Sequence, residues 1–93
     1  MIKRIRHKGL ERFYRDGDTR GINAQQAAKL RVLLTALDTA TDQEQMDMLP
    51  GARLHALRGD RSGQWAVWVS GNWRLVFEFD KQDATNIDLV DYH

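Results

Sequence analysis

The stretch that decides the fold is Arg53–Phe79, RLHALRGDRSGQWAVWVSGNWRLVFEF. From Gln64 to Val69 the side chains alternate, with Trp65, Val67 and Val69 on one face and Ala66 and Trp68 on the other. Such a period of two predicts a strand. Ser70-Gly71-Asn72 suits a tight hairpin connection. Beyond it, Trp73, Leu75, Phe77 and Phe79 point one way and Arg74, Val76 and Glu78 the other. A shorter strand is expected around Arg53 to Leu57, followed by a turn at Gly59 to Gly63. Downstream, Asp80 to Asp83 reads as a second turn and Ala84 to Tyr92 as a last strand with Ile87 and Leu89 buried. Three strands joined by short turns make an antiparallel meander, and such a sheet needs cover on its apolar face.

That cover comes from the N-terminal part. Residues 1–6, with Ile2 and Ile5, read as a short strand or extended lead-in. His7 to Asp16 predicts a helix, with Leu10, Phe13 and Tyr14 on one face and Gly17 as the left-handed stop. Gly9 should weaken that helix by about 1 kcal/mol relative to Ala. A second helix is expected from a capping box at Asn23 and Gln26, with Ile22 stapled to Ala27. Ala27, Leu30, Leu34 and Leu37 give it an apolar stripe ending near Asp38–Ala40, while Lys29 and Arg31 project elsewhere. Thr41 to Ala52 reads as a loop or short helical turn closed by Pro50-Gly51. The expected fold class is α+β: one domain, residues 1–93, of two N-terminal helices packed on a small antiparallel sheet.

Composition bounds the function. At 93 residues with 42% hydrophobic and 29% charged residues, the chain can bury one core. With 0 Cys, disulfide and thiolate chemistry are excluded, and a cytoplasmic setting is expected. No apolar run is long enough to span a membrane, and the N-terminus has no apolar leader region. The net charge of +1 conceals a gradient. Residues 1–31 carry nine Lys/Arg and three acids, a charge of +6, and the remainder carries five Lys/Arg and ten acids, a charge of −5. A basic end favours a polyanionic partner; the alternative is a solvated pair of basic helices with no partner at all.

The candidate chemistry lies in His55, Arg58, Arg74 and the terminal run Asp91-Tyr92-His93. If the segments that hold them pair as neighbouring strands, these side chains share one small surface. Histidine carries protons near neutral pH, so two of them beside a carboxylate can serve as base and acid. An arginine fork can hold a phosphate, a geometry lysine cannot copy. Blander readings accompany each: Arg74 as an exposed arginine paired with Asp88 or Glu78, His55 as a structural histidine, residues 91–93 as a charged tail. Two His and a carboxylate could also make a metal triad. Their spacing is not specific, however, and Arg58 and Arg74 would repel a cation, so no metal and no cofactor is expected. Trp65 and Trp73 read as core, and Trp68, on the opposite face, is the better surface aromatic.

Taken together, LHALRGDRSGQWAVWV, NWRLVFEF, the final VDYH and the opening MIKxIRHKGL resemble the HigB toxins of bacterial type II toxin–antitoxin systems, in the RelE/ParE toxin superfamily. The resemblance spans nearly the whole chain. It implies a RelE-like α+β ribonuclease that enters the ribosomal A site and cuts mRNA during translation. It also implies a HigA-like helix-turn-helix antitoxin as partner. Carried across, the family's catalytic positions fall on His55, Arg58, Arg74, Asp91, Tyr92 and His93, with Arg58 standing where relatives often have Lys. Lys3, Arg4, Arg6, Lys8, Arg12, Arg15 and Arg20 would meet ribosomal RNA. Two other readings compete: a ParE-like module that binds DNA gyrase without nuclease activity, and a catalytically dead co-repressor.

Overall fold

The computed structural model describes residues 1–92. Helix α1 spans Lys8–Asp16 and α2 spans Ala27–Thr39. Four strands follow, β1 at His55–Ala56, β2 at Trp65–Ser70, β3 at Trp73–Asp80 and β4 at Asp83–Asp91. They form one antiparallel sheet in the order β1-β2-β3-β4. The α+β meander expected from the alternation is therefore the fold, with the 53–57 region adding a two-residue edge strand.

The Gly17 stop expected for α1 is in place, and the structure adds an N-cap. His7 Nδ1 accepts from the Leu10 amide at 3.0 Å as an N-cap, and Gly17 at φ 73° closes the helix with its N–H on Phe13 O. The capping box does not form. Asn23 accepts from the Gln25 amide and starts a 3₁₀ turn, Ala24–Gln26, before α2. Gln26 is buried instead, with Nε2 on Ser70 Oγ at 2.9 Å and Oε1 without a partner. The side chain that a capping glutamine would turn back to the cap instead points to the β2–β3 hairpin and fastens the start of α2 to it. The 41–52 segment contains a 3₁₀ turn, Gln43–Met48, which inserts Met46 into the core.

Gly9 has a role that its low helix propensity hides. A Cβ there would lie 2.0 Å from Gly21 O, and one on Gly21 would lie 2.5 Å from Gly9 Cα. The connector after α1 thus packs on the helix backbone to backbone, which only glycine on both sides permits.

The core sits between the helices and one sheet face. Leu10, Phe13, Leu30, Leu33, Leu34 and Leu37 meet Val67, Val69, Leu75, Phe77, Ile87 and Leu89. Trp65 and Trp73 pack on its margin, as expected. The lead-in runs parallel to β4, with bridges at Ile2 to Ala84 and Ile5 to Ile87. Two irregularities shape the sheet: a register shift between Trp68 and Ser70, and another beside Val76–Glu78, opposite Asn86 at φ 50°. Bulges of this kind sharpen local twist and re-aim neighbouring side chains.

Candidate active site

Register assigns each side chain to a face. His55 pairs with Ala66, Ala66 with Val76, and Val76 with Asp88, one row crossing all four strands. The next row is Trp68, Arg74 and Val90. Directly opposed residues share a face, so both rows lie on the side away from the helices. Ala66 and Val76 are fully buried yet stand outside the main core cluster. They make a small apolar floor bordered by the longer side chains of both rows.

Arg74 is half-buried, and its Nη1 donates to Gly71 O and Trp73 O, each at 3.1 Å. The surface ion pair considered above does not form. Asp88 Oδ1 accepts from the Leu89 amide, and Glu78 Oε2 accepts from Gln64 Nε2 and Asn86 Nδ2. Neutral carbonyls fix the guanidinium without offsetting its charge, and among the described residues no hydrogen bond engages its Nε and Nη2 protons.

His55 is exposed, and its Nδ1 lies 3.2 Å from Arg53 O. A carbonyl can only accept, so this contact is a hydrogen bond in the Nδ1–H tautomer, which leaves the Nε2 lone pair facing outward. The carbonyl is aimed by Arg53 itself, a non-glycine residue at φ 51°. Sequence carried no sign of that conformation.

The terminal residues are only partly gathered in. β1 and β4 are opposite edges of the sheet, so His55 does not neighbour Asp91 and Tyr92; Arg74 does. Asp91 pairs with Trp73 and falls on the helix side, one step from Val90 and Arg74. Tyr92 extends the ladder with its amide on Asn72 O at 2.8 Å, and continued alternation puts its half-buried side chain on the Arg74 side. His93 lies outside the described residues. Arg58 is exposed at the start of a 3₁₀ turn, Gly59–Arg61, which its side chain does not cap. Among the described residues no group of three or more His, Asp or Glu could hold a metal ion.

Trp68, singled out as the surface aromatic, has an environment that sequence did not foresee. Its Nε1 donates to Gly71 O at 2.9 Å, the carbonyl that also holds Arg74. Arg53 and Lys29 both lie over its ring. Lys29 is one turn beyond Gln26 on α2, so the Gln26–Ser70 bond that draws α2 to the hairpin also brings the lysine there.

The basic N-terminal set is exposed throughout, at Lys3, Arg4, Arg6, Lys8, Arg12, Arg15 and Arg20. Three of its members form ion pairs: Lys3 with the distant Asp80, and, locally, Arg15 with Glu11 and Arg20 with Asp18, the last through two parallel bonds. The Arg20 hydrogen bonds hold the Asp18 carboxyl down at about 2. Exposed pairs of this sort are weak and exchangeable, so the segment keeps its positive character. Among the described residues no helix is long and apolar enough to cross a membrane.

Comparison with known proteins agrees with this architecture. A family model described as the RelE-like toxin of type II toxin-antitoxin system HigB matches residues 3–93. The chain is 40% identical over 93 residues to the endoribonuclease HigB of Proteus vulgaris, with 100% of each covered. The YoeB/ParE toxin from Agrobacterium tumefaciens shares the fold, with a TM-score of 0.56 at 14% identity over 100% of this chain and 99% of that one. The chain, with its helix-covered meander and its histidine and arginine on the open face, belongs to the HigB-like, RelE-type toxins of type II toxin–antitoxin systems, whose partners are antitoxins.

Proposed function

We propose that the protein is an endoribonuclease that cuts mRNA in the A site of the translating ribosome and so stops translation. The observation that carries this reading is the open sheet face. It presents a histidine whose Nδ1 lies against a backbone carbonyl, one row from an arginine held, among the described residues, by carbonyls. The 40% identity to a protein named an endoribonuclease supports it.

The reaction asks for three things. A base takes the proton of a 2′-hydroxyl, whose oxygen attacks the adjacent phosphorus. The P–O5′ bond breaks, leaving a 2′,3′-cyclic phosphate, and the departing 5′-oxygen takes a proton from an acid. His55 and His93 share the base and acid roles; in its Nδ1–H tautomer His55 offers Nε2 as a base. Arg74, with Arg58, offsets the charge that gathers on the phosphorane oxygens. Asp91 orients or tunes its neighbours, and Tyr92 stacks on a base or bonds the phosphate. This scheme needs no metal. Lys3, Arg4, Arg6, Lys8, Arg12, Arg15 and Arg20 face ribosomal RNA, a HigA-like helix-turn-helix antitoxin neutralises the toxin, and the setting is the cytoplasm.

The test is mRNA cleavage by purified protein with and without translating ribosomes, beside His93→Gln and a chelator control. Cutting that needs the ribosome, survives chelator and fails in His93→Gln is expected. Absence of cutting under every condition overturns the proposal and directs attention to gyrase supercoiling assays.

A further inference from the structure

Trp68 stands across from Arg74 on the open face, where three basic side chains from separate parts of the chain converge on one indole. Lys29 Nζ lies 5.8 Å and Arg53 Cζ 4.9 Å from the ring centroid. Arg74 shares the Gly71 carbonyl with the indole N–H. None of the three cations forms an ion pair among the described residues. Like charges brought together without an anion repel one another, and the ring quadrupole offsets only part of that repulsion.

Backbone geometry points the same way. Ala52 is buried and its carbonyl accepts the Trp68 amide at 2.7 Å, which anchors the chain just before the exposed Arg53. Arg53 then adopts φ 51°, an unfavourable conformation for a long side chain. That turn carries its guanidinium over Trp68 and aims its carbonyl at His55. One strained residue thus joins the proposed base to an aromatic platform ringed by positive charge. A single-stranded nucleotide has the matching parts, a flat base for the ring or the guanidinium plane and a phosphate for the cations.

We infer that Trp68, Arg53 and Lys29 form a nucleotide-binding subsite beside the cleavage centre, holding the base and phosphate of an RNA residue that flanks the cut bond. The inference rests on the nuclease reading for where the RNA runs. Because every base has a stacking face, the subsite contributes affinity with little sequence preference. Its loss therefore acts on KM, and the centre that performs the cut keeps its rate.

Three variants test this: Trp68→Leu, Lys29→Gln, and Arg53→Gly, the last retaining the left-handed backbone while removing the cation. Each is first checked by circular dichroism and thermal unfolding. Two readouts follow. The first is the affinity for a labelled, fully 2′-O-methylated single-stranded RNA, which lacks the attacking hydroxyl, measured by anisotropy at low salt. The second is KM and kcat on mRNA-programmed ribosomes. Folded Trp68→Leu protein is expected to bind the RNA about tenfold more weakly and to raise KM by a similar factor with kcat little changed, the scale of one lost stacking contact. Lys29→Gln and Arg53→Gly are expected to weaken binding in the same direction and to flatten its salt dependence. If wild type cleaves and folded variants retain its RNA affinity and KM, the subsite is refuted while the nuclease reading stands. RNA binding that depends on Trp68 in a protein that never cleaves refutes the nuclease reading and keeps the subsite. A protein that neither binds nor cleaves refutes both.

Discussion

Replacing Gly9 by Ala sets two effects of opposite sign against each other. Helix propensity favours Ala by about 1 kcal/mol in a helix interior, and by less here because Gly9 is the second residue of α1. Packing opposes it. The added Cβ would sit 2.0 Å from Gly21 O and 2.6 Å from Gly21 C, atoms of a backbone with no flexible tip to move aside. Ordinary contact begins near 3.4 Å, so the connector must retreat by more than 1 Å along that line (3.4 − 2.0 = 1.4 Å). Ile22, the next residue, packs on the core and would be carried along. Overpacking of this kind costs about 1–3 kcal/mol, which outweighs the propensity gain. The expected result is a net loss of about 1–2 kcal/mol, seen in urea unfolding as a lower midpoint with unchanged slope and in heating as a drop of roughly 4–16 °C for a domain this size. A Gly9→Ala protein as stable as wild type, or more so, refutes the argument that the Gly9–Gly21 approach is a packing requirement.

Other outcomes follow from the same geometry. Arg74→Ala is expected to lower ribosome-dependent cleavage by about two to three orders of magnitude, as loss of a charge-stabilising group does, with the unfolding midpoint barely moved. Full activity in folded Arg74→Ala protein sinks its catalytic role. His7→Ala should cost about 1 kcal/mol by orphaning the Leu10 amide, whereas His7→Asn, which can also cap, should recover most of it in the same urea titration. For Asp18, whose carboxyl pKa falls from 3.8 to about 2 through Arg20, the stabilisation is fully present above pH 4 and is lost as pH falls through 2. The stability gap between wild type and Asp18→Asn should therefore close between those limits and shrink at high salt, and a gap that persists below pH 2 contradicts the linkage.

Much of the fold was legible because its signals are local. The alternation in Trp65–Val69 and again in Trp73–Phe79, the hairpin at Gly71, the stop at Gly17 and the stripe Leu30-Leu34-Leu37 each rest on near neighbours in sequence, and each is found in place. What escaped reading depends on partners distant in sequence. Gly9 looked like a weak helix residue because its reason is Gly21. Gln26 looked like a cap because Ser70, its actual partner, is 44 residues away. Alternation correctly put Arg74 on the face away from the core. It could not reveal that β1 and β4 lie at opposite edges, which separates His55 from Asp91 and Tyr92. The left-handed conformation of Arg53 had no signal at all, since nothing in an arginine favours it. Local rules give the scaffold, and tertiary neighbours decide which polar groups meet.

The parallel run of residues 1–6 along β4 bears on how the chain reaches this state. Ile2 bridges Ala84, a separation of 82 positions (84 − 2), and Ile5 bridges Ile87 at the same separation. During synthesis the first segment therefore waits for these partners until β4 has been made. Closing so long a loop is entropically slow, and contacts of this range lower folding rates. β3, which bears Arg74, likewise lacks one neighbour until β4 arrives. A growing chain thus carries both helices and three of its four strands before the open sheet face is finished, so maturation of that face waits on β4.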